Sequence, residues 1–170
     1  MGTKMQLPRH GRYVGIVGPG HNVDELDYAI AHEVGRLVAT ELRATVVCGG
    51  LDGVMKAACE GAWAGGGLTV GLLPGFDRAD GNEFLSVVLP TGLSELRNGL
   101  VVNASDALIS IGGSWGTMAE VALALRAGKP VVSVNGWAVQ PGSEPDAVAP
   151  LPAHSAGEVI AVIHRLRLWG

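Results

Sequence analysis

Short apolar segments that end in glycine or another turn-forming residue alternate with amphipathic segments along this sequence. The apolar segments lie at 12–17, 45–48, 68–73, 85–89, 107–111 and 130–134. Between the first two, Leu26, Ile30, Val34 and Leu37 recur every three or four positions, the spacing of one face of an α-helix. Strands that alternate with helices form βαβ units. The sequence therefore predicts an α/β fold, with a doubly wound, mostly parallel sheet of about six or seven strands and helices on both faces.

Turn-forming clusters rich in glycine follow four of these strands, at 18–20, 49–53, 74–75 and 112–116. The carboxyl ends of parallel strands meet at one edge of a sheet, and ligands of such folds bind outside that edge. We therefore expect the four clusters to come together there. Their backbone amides are suited to a phosphorylated, nucleotide-like ligand.

The length of 170 residues fits a single domain, in which we expect a flexible N-terminus at 1–11 and a long, proline-rich loop at 136–153. Hydrophobic residues make up 48% of the chain and charged residues 16%, which excludes a disordered class of protein. The net charge of −4 and the lack of a Lys/Arg-rich run argue against nucleic acid as a partner. The sequence contains no membrane-spanning segment and no signal peptide, so we expect a cytoplasmic protein with no membrane partner.

Metal and dinucleotide motifs are absent or incomplete. Cys48 and Cys59 are too few for a disulfide framework or a zinc site, and we expect buried thiols and no metal. The segment Gly18-Pro19-Gly20-His21 lacks the third glycine of a dinucleotide fingerprint, and no Walker A loop is present. We interpret His21 as a helix-start residue rather than a rim contact.

The glycine-rich clusters differ in the acidic residues that lie at the start of the helix following each of them. The first helix carries Asp24 and Glu25, and Asn22 with Glu25 forms a predicted capping box. Asp52 lies at the predicted start of the second helix, so both of these dipole ends are partly neutralised. The helix that begins after 112–116 has no acid before Glu120. The sequence therefore predicts that phosphate binds at 113–117, with the hydroxyls of Ser114 and Thr117 beside the backbone amides.

Four side chains near this cluster have two interpretations each. Glu120 either closes a capping box with Thr117 or presents a carboxylate to the ligand. Arg97 either is a solvated helix arginine or pairs with Glu120 or with phosphate, and Asn98 beside it is equally ambiguous. Trp115 either packs or stacks against the ligand.

Two longer segments resemble a known family. They are CGGLDGVMKAACEGAWAGGGLTVGLLPG at 48–75 and ELRNGLVVNASDALISIGGSWGTMAEVALALRAGKP at 95–130. These segments resemble the Lonely Guy (LOG)-like superfamily of Rossmann-like proteins, and most closely its short molybdenum-cofactor-carrier-like branch, over about 11–135. The resemblance implies a homodimer with its sites near the subunit interface. Many members were once labelled lysine decarboxylases, but Lys4, Lys56 and Lys129 offer no cofactor-binding lysine.

The cytokinin-activating members of the superfamily carry the motif Pro-Gly-Gly-x-Gly-Thr-x-x-Glu and hydrolyse the N-glycosidic bond of nucleoside 5′-monophosphates. The matching segment here is 112–120, in which Gly112 replaces the proline and Ser114 replaces the second glycine. The family's catalytic arginine falls on Arg97, and its following lysine is Asn98 here. By this resemblance Arg97 and Glu120 are the expected catalytic pair. The expected ligand-binding residues are Gly18, Gly20, Gly49, Gly50, Gly53, Met55, Pro74, Asn98, Gly112, Gly113, Ser114, Trp115, Gly116 and Thr117.

The resemblance implies a protein that binds a nucleoside monophosphate or a molybdopterin-type cofactor and serves as a carrier. The alternative is a phosphoribohydrolase that releases free base and ribose 5-phosphate and requires no cofactor for catalysis. A ligand-sensing regulator that acts through partner proteins is a third candidate. Only Gly112, Ser114 and Asn98 bear on the choice between the first two.

Overall fold

The computed structural model describes residues 11–139 and 148–169. The strands are β1 (Tyr13–Val17), β2 (Thr45–Cys48), β3 (Thr69–Leu73), β4 (Val87–Pro90), β5 (Ala107–Ile111), β6 (Val131–Val134) and β7 (Leu151–Pro152). The helices are α1 (Glu25–Thr40), α2 (Val54–Ala64), α3 (Asn98–Ala104), α4 (Trp115–Arg126) and α5 (Ala156–Arg165), with short 3₁₀ turns at Arg78–Asp80 and Ser94–Arg97. The expected flexible N-terminus, up to residue 10, and the centre of the expected long loop, 140–147, lie outside the described residues.

All seven strands run parallel in one sheet, in the order β4-β3-β2-β1-β5-β6-β7. Val14 in β1 is paired with Val46 in β2 on one side and with Ala107 in β5 on the other. The strand order therefore reverses between β1 and β5, which is where α/β sheets open a crevice for ligands. This topology confirms the predicted doubly wound parallel sheet.

Helices cover both faces of the sheet, which accounts for the nearly continuous apolar strands. One core contains Val14 and Ile16 of β1 with buried residues of α1, α2 and α5. The opposite core contains Val17 of β1 with buried residues of α3 and α4. Because successive strand residues alternate between the faces, the central strands β1, β2 and β5 bury side chains on both faces of the sheet, whereas the edge strands β4 and β7 stay partly exposed.

Two local features differ from the sequence prediction. The capping box at Asn22 is wrong, because the N-cap of α1 is Asp24, whose carboxylate accepts a hydrogen bond of 2.8 Å from the Asp27 amide. Asn22 adopts a φ of 53° in the turn before it. The short strand β7 lies within the segment expected to be a long loop, where it pairs with β6.

No helix within the described ranges is both long enough and apolar enough to cross a membrane.

Candidate functional site

A cleft of about 390 Å³ opens at the carboxyl edge of the sheet, beside the point where the strand order reverses. It lies among the loops that follow β1, β2, β3 and β5 and the start of α3. Ten of its lining residues belong to the sets that the sequence suggested: Gly18, Gly20, Met55, Pro74, Arg97, Asn98, Ser114, Gly116, Thr117 and Glu120.

The N-terminus of α4 forms one wall of this cleft. Ser114 is the N-cap, and its hydroxyl accepts a hydrogen bond from the Thr117 amide and lies 2.8 Å from the Thr117 hydroxyl. No acidic residue lies in the first turn. The amides of Trp115 and Gly116 belong to the group that a helix leaves without a partner of its own. This terminus therefore has the free donors and the positive dipole end that bind an anion.

Glu120 lies one turn further along α4 and is only 7% exposed. The capping-box interpretation is wrong for this residue, because Ser114 and not Thr117 caps the helix. Burial raises the pKa of Glu120 to about 7, although the positive charge of Arg97 opposes the rise. Near neutral pH the carboxyl group can therefore either donate or accept a hydrogen bond at the cleft.

Arg97 ends the 3₁₀ turn before α3 and is 8% exposed, so the solvated-arginine interpretation is wrong. Its Nη1 lies 4.0 Å from Oε1 of Glu120, at the outer limit of an ion pair. Among the described residues, its Nε has no hydrogen-bond partner. Burial lowers the pKa of Arg97. A buried guanidinium with one distant counter-charge and an unsatisfied N–H retains the capacity to bind an anion.

Five glycines of the predicted ligand set do not line the cleft, and three of them, which follow β2, shape the protein beneath it. A Cβ at Gly49 would collide with the Arg97 guanidinium. Gly50 has a φ of 76°, and a Cβ added there would lie only 2.7 Å from Cδ2 of Leu73. Gly53 has a φ of 66° and approaches the carbonyl of Pro19. Glycine is favoured at positions 50 and 53 because of the positive φ and the nearby backbone, whereas a Cβ at position 49 would require the Arg97 side chain to shift.

Gly112 and Gly113 line a small cavity beside Trp137. Gly112 has a φ of 66°, and its amide donates a 2.9 Å hydrogen bond to the Val134 carbonyl. Proline has a negative φ and no amide hydrogen, so it cannot replace Gly112 in this conformation. A Cβ at Gly113 would collide with the indole of Trp137.

Trp115 lies outside the main cleft and is 80% exposed. Its ring meets Trp137 edge to face, with the centroids 4.9 Å apart. It lines an adjoining cleft of about 430 Å³ together with Leu96, Ala119 and Leu123. Trp115 therefore packs against Trp137. The adjoining cleft that Trp115 lines has a mainly apolar surface.

Several residues that contribute to this region were not among the predicted site residues. His21 precedes α1 and lines the cleft, so the helix-start interpretation is wrong. Leu51, Ser94 and Glu95 also line it, and Trp137 packs over Gly113. The position of Trp137 just after β6 was an available signal, because that strand ends at the same edge.

The start of α2 also differs from the sequence argument. Asp52 precedes the helix, and the first turn contains no acid, so the dipole is not neutralised in the way that we expected. The Val54 amide instead donates to the Pro19 carbonyl, at 3.0 Å. The loop after β1 therefore occupies one of the donors of this terminus, and α4 has the more accessible anion-binding end.

Within 11–139 and 148–169, no group of three or more His, Cys, Asp or Glu residues is arranged to hold a metal ion.

The parallel sheet and the cleft at its point of strand reversal define a Rossmann-like α/β protein. The chain belongs to the SLOG cluster4 family, whose model matches residues 11–161. This membership and the structural comparisons confirm the resemblance drawn from the glycine-rich segments. An uncharacterised protein of Archaeoglobus fulgidus is 43% identical over 123 residues, which are 72% of this chain and 79% of that protein.

Two solved structures share the fold over nearly their whole length. The molybdenum cofactor binding protein of Rippkaea orientalis has a TM-score of 0.83 and 29% identity, over 94% of this chain and 99% of that one. The molybdenum cofactor carrier protein of Chlamydomonas reinhardtii has a TM-score of 0.81 and 34% identity, over 92% of this chain and 98% of that one.

Proposed function

We propose that this protein binds the phosphate of a nucleotide-like ligand, either a nucleoside monophosphate or a molybdopterin-type cofactor, and acts as its carrier. The observation that carries the proposal is the buried Arg97, whose Nε lacks a partner among the described residues. An acid-free helix N-terminus forms another part of the same cleft. The similar proteins of R. orientalis and C. reinhardtii are named for binding or carrying the molybdenum cofactor, which supports a cofactor of this class.

The residues present fit a phosphorylated ligand. The amides of Trp115 and Gly116 and the hydroxyl of Thr117 supply donors to phosphate oxygens. Arg97 supplies a charge-assisted hydrogen bond from the other side of the cleft. With its pKa raised to about 7, Glu120 is partly protonated at neutral pH and can share a proton with a ligand hydroxyl or ring nitrogen. We infer a small-molecule ligand rather than nucleic acid, since the net charge is −4.

A phosphoribohydrolase is the second candidate, and the position of Glu120 favours it. A carboxylate beside the ligand could position a water molecule or stabilise positive charge on the sugar during cleavage of the N-glycosidic bond. This reaction would need no cofactor. The replacements Gly112, Ser114 and Asn98 separate the chain from the hydrolase motif and favour the carrier.

We also propose that the protein is a homodimer in which a second copy covers the apolar surface beside the cleft. Leu96 is 81% exposed and Trp115 is 80% exposed, and Leu93, Leu100 and Leu123 are also exposed. Exposed apolar patches of this kind mark interaction sites. The adjoining clefts share Glu95, Asn98 and Gly116, so a partner at this surface would lie at the rim of the ligand site.

One experiment separates the two functions. The protein is incubated with a panel of nucleoside monophosphates and with molybdopterin, while free base is followed by chromatography and ligand binding by thermal stabilisation. Stabilisation without base release supports the carrier. Base release that is lost in Glu120→Ala establishes the hydrolase, and a lack of any stabilisation or base release excludes the proposed ligand class.

A further inference from the structure

A pair of cysteines lies beneath the cleft and has no part in the proposed phosphate site. Cys48 is the last residue of β2, and Cys59 lies in the second turn of α2. Their sulfur atoms are 3.5 Å apart, and both side chains are fully buried. A disulfide bond has an S–S distance of about 2.05 Å, so a modest approach of strand and helix would join them.

The two thiols are electrostatically unequal. Cys59 and the Gly50 amide both lie within hydrogen-bond distance of the Cys48 sulfur, the amide at 3.3 Å. The hydrogen bond between the two thiols lowers the pKa of Cys48 most, burial opposes that shift, and the Gly50 amide and the Arg97 charge lower the pKa further. The pKa of Cys59 is raised by its hydrogen bond to Cys48 and by burial. The Gly50 amide donates to Cys48 and not to Cys59, and the Arg97 charge also acts on Cys48, so we assign Cys48 as the attacking thiol and Cys59 as the resolving thiol.

We propose that Cys48 and Cys59 form a redox modification site, in which hydrogen peroxide converts the dithiol to a disulfide and thereby weakens ligand binding in the cleft above. The Cys48 sulfur attacks one peroxide oxygen, the O–O bond breaks, and a sulfenic acid and one water form. The Cys59 sulfur then displaces the hydroxyl group from Cys48 as a second water. In sum, two thiols are oxidised and one peroxide is reduced to two waters.

The link to the cleft runs through Gly49 and Arg97. Gly49 follows Cys48 directly, and a Cβ on it would already overlap the guanidinium. A shift of the end of β2 toward α2 therefore moves Gly49, against which the Arg97 guanidinium packs. This consequence rests on the proposed function, in which Arg97 binds the phosphate.

The same contacts predict that the ligand protects the thiols. Cys48 and Cys59 form a buried cluster with Met55, and Leu51 packs against it. Both Met55 and Leu51 line the cleft, so a movement of these side chains would open a route for peroxide from the cleft to the buried sulfurs. A molecule bound in the cleft covers that approach.

The test compares the full chain with Cys59→Ala after treatment with hydrogen peroxide. We expect the intact wild-type mass to fall by two hydrogen atoms, with a linked Cys48–Cys59 peptide in a non-reducing digest. In Cys59→Ala we expect instead a sulfenic acid on Cys48 that dimedone traps. Overoxidation of wild type without the linked peptide, or thiols that stay reduced, would overturn the proposal.

Binding provides the second readout, with AMP and molybdopterin as the probes. The disulfide form should bind about tenfold more weakly than the reduced form, which corresponds to the loss of roughly one charge-assisted hydrogen bond, and dithiothreitol should restore affinity. Saturating probe should also slow disulfide formation. If protein with a verified Cys48–Cys59 disulfide binds the probes with unchanged affinity, the disulfide does not control ligand binding and that part of the proposal is refuted. If neither probe binds even the reduced protein, the proposed function fails. The mass measurement and the linked peptide then still decide whether the disulfide forms.

Discussion

Arg97 and Glu120 lie 4.0 Å apart, measured from Nη1 to Oε1, and each is less than a tenth exposed. The pair is too loose to satisfy either group fully, since the Arg97 Nε has no partner among the described residues and burial raises the pKa of Glu120 to about 7. Groups left under-satisfied in a cleft are typical of functional sites.

Arg97→Met should weaken the binding of AMP or molybdopterin by about ten- to a hundredfold, because it removes a charge-assisted hydrogen bond to phosphate. Isothermal titration calorimetry measures the effect. Arg126→Met is the matched control, since Arg126 is exposed at the far end of α4, and it should bind as the wild type does. Equal loss in both variants would mean that the overall charge, and not Arg97, holds the ligand.

Glu120 should make the protein less stable as the pH rises from about 4.5 to 7. Its pKa is raised in the folded state, so in this range the native protein retains a proton that the unfolded chain has lost. The free energy of unfolding should fall by on the order of 3 kcal/mol across the range, and urea titrations at several pH values measure it. Glu120→Gln should remove this dependence, whereas Glu41→Gln, at an exposed position, should keep it. Identical pH profiles for wild type and Glu120→Gln would contradict the assignment.

Gly116→Val should abolish phosphate binding without unfolding the protein. The nearest atom to a Cβ at this position is the Ser114 hydroxyl at 3.9 Å, so the fold has room for a side chain. The ligand, however, requires close approach to the backbone at the start of α4. Thermal melting and AMP titration measure the two effects. Gly157→Ala, on α5 with open space around it, is the control. Normal affinity in Gly116→Val would remove this turn from the site.

Leu96→Glu should convert the proposed dimer to a monomer, because it places a charge in the apolar surface next to Trp115. Light scattering after size-exclusion chromatography gives the mass of the particle. Leu26→Glu provides the comparison, since Leu26 is 63% exposed on α1. A wild-type protein that is already monomeric, or a Leu96→Glu variant that stays dimeric, would place the subunit contact elsewhere or exclude it.

The fold was predictable because it depends on local periodicity. The strand at 107–111 has the predicted bounds, and the glycine-rich clusters after β1, β2, β3 and β5 identify the edge where the cleft lies. The wrong cap of α1 arose because Asn22 and Asp24 have equally good capping side chains. Only the conformation of the turn, with Asn22 at a φ of 53°, selects Asp24.

The site was less predictable because its key contacts join distant parts of the chain. Nothing near Arg97 in sequence indicates that it is buried over Gly49. Its burial depends on the 3₁₀ turn Ser94–Arg97, in which Ser94 has a φ of 53°. The contact of Trp137 with Gly113 likewise forms only when β5 and β6 pair.

The most direct test of the central claim is a crystal structure of the protein with AMP or molybdopterin bound. We predict that the phosphate lies within hydrogen-bond distance of the Trp115 and Gly116 amides, with the Arg97 guanidinium on the same phosphate. A phosphate bound away from the start of α4, with Arg97 still unpaired, would contradict the account.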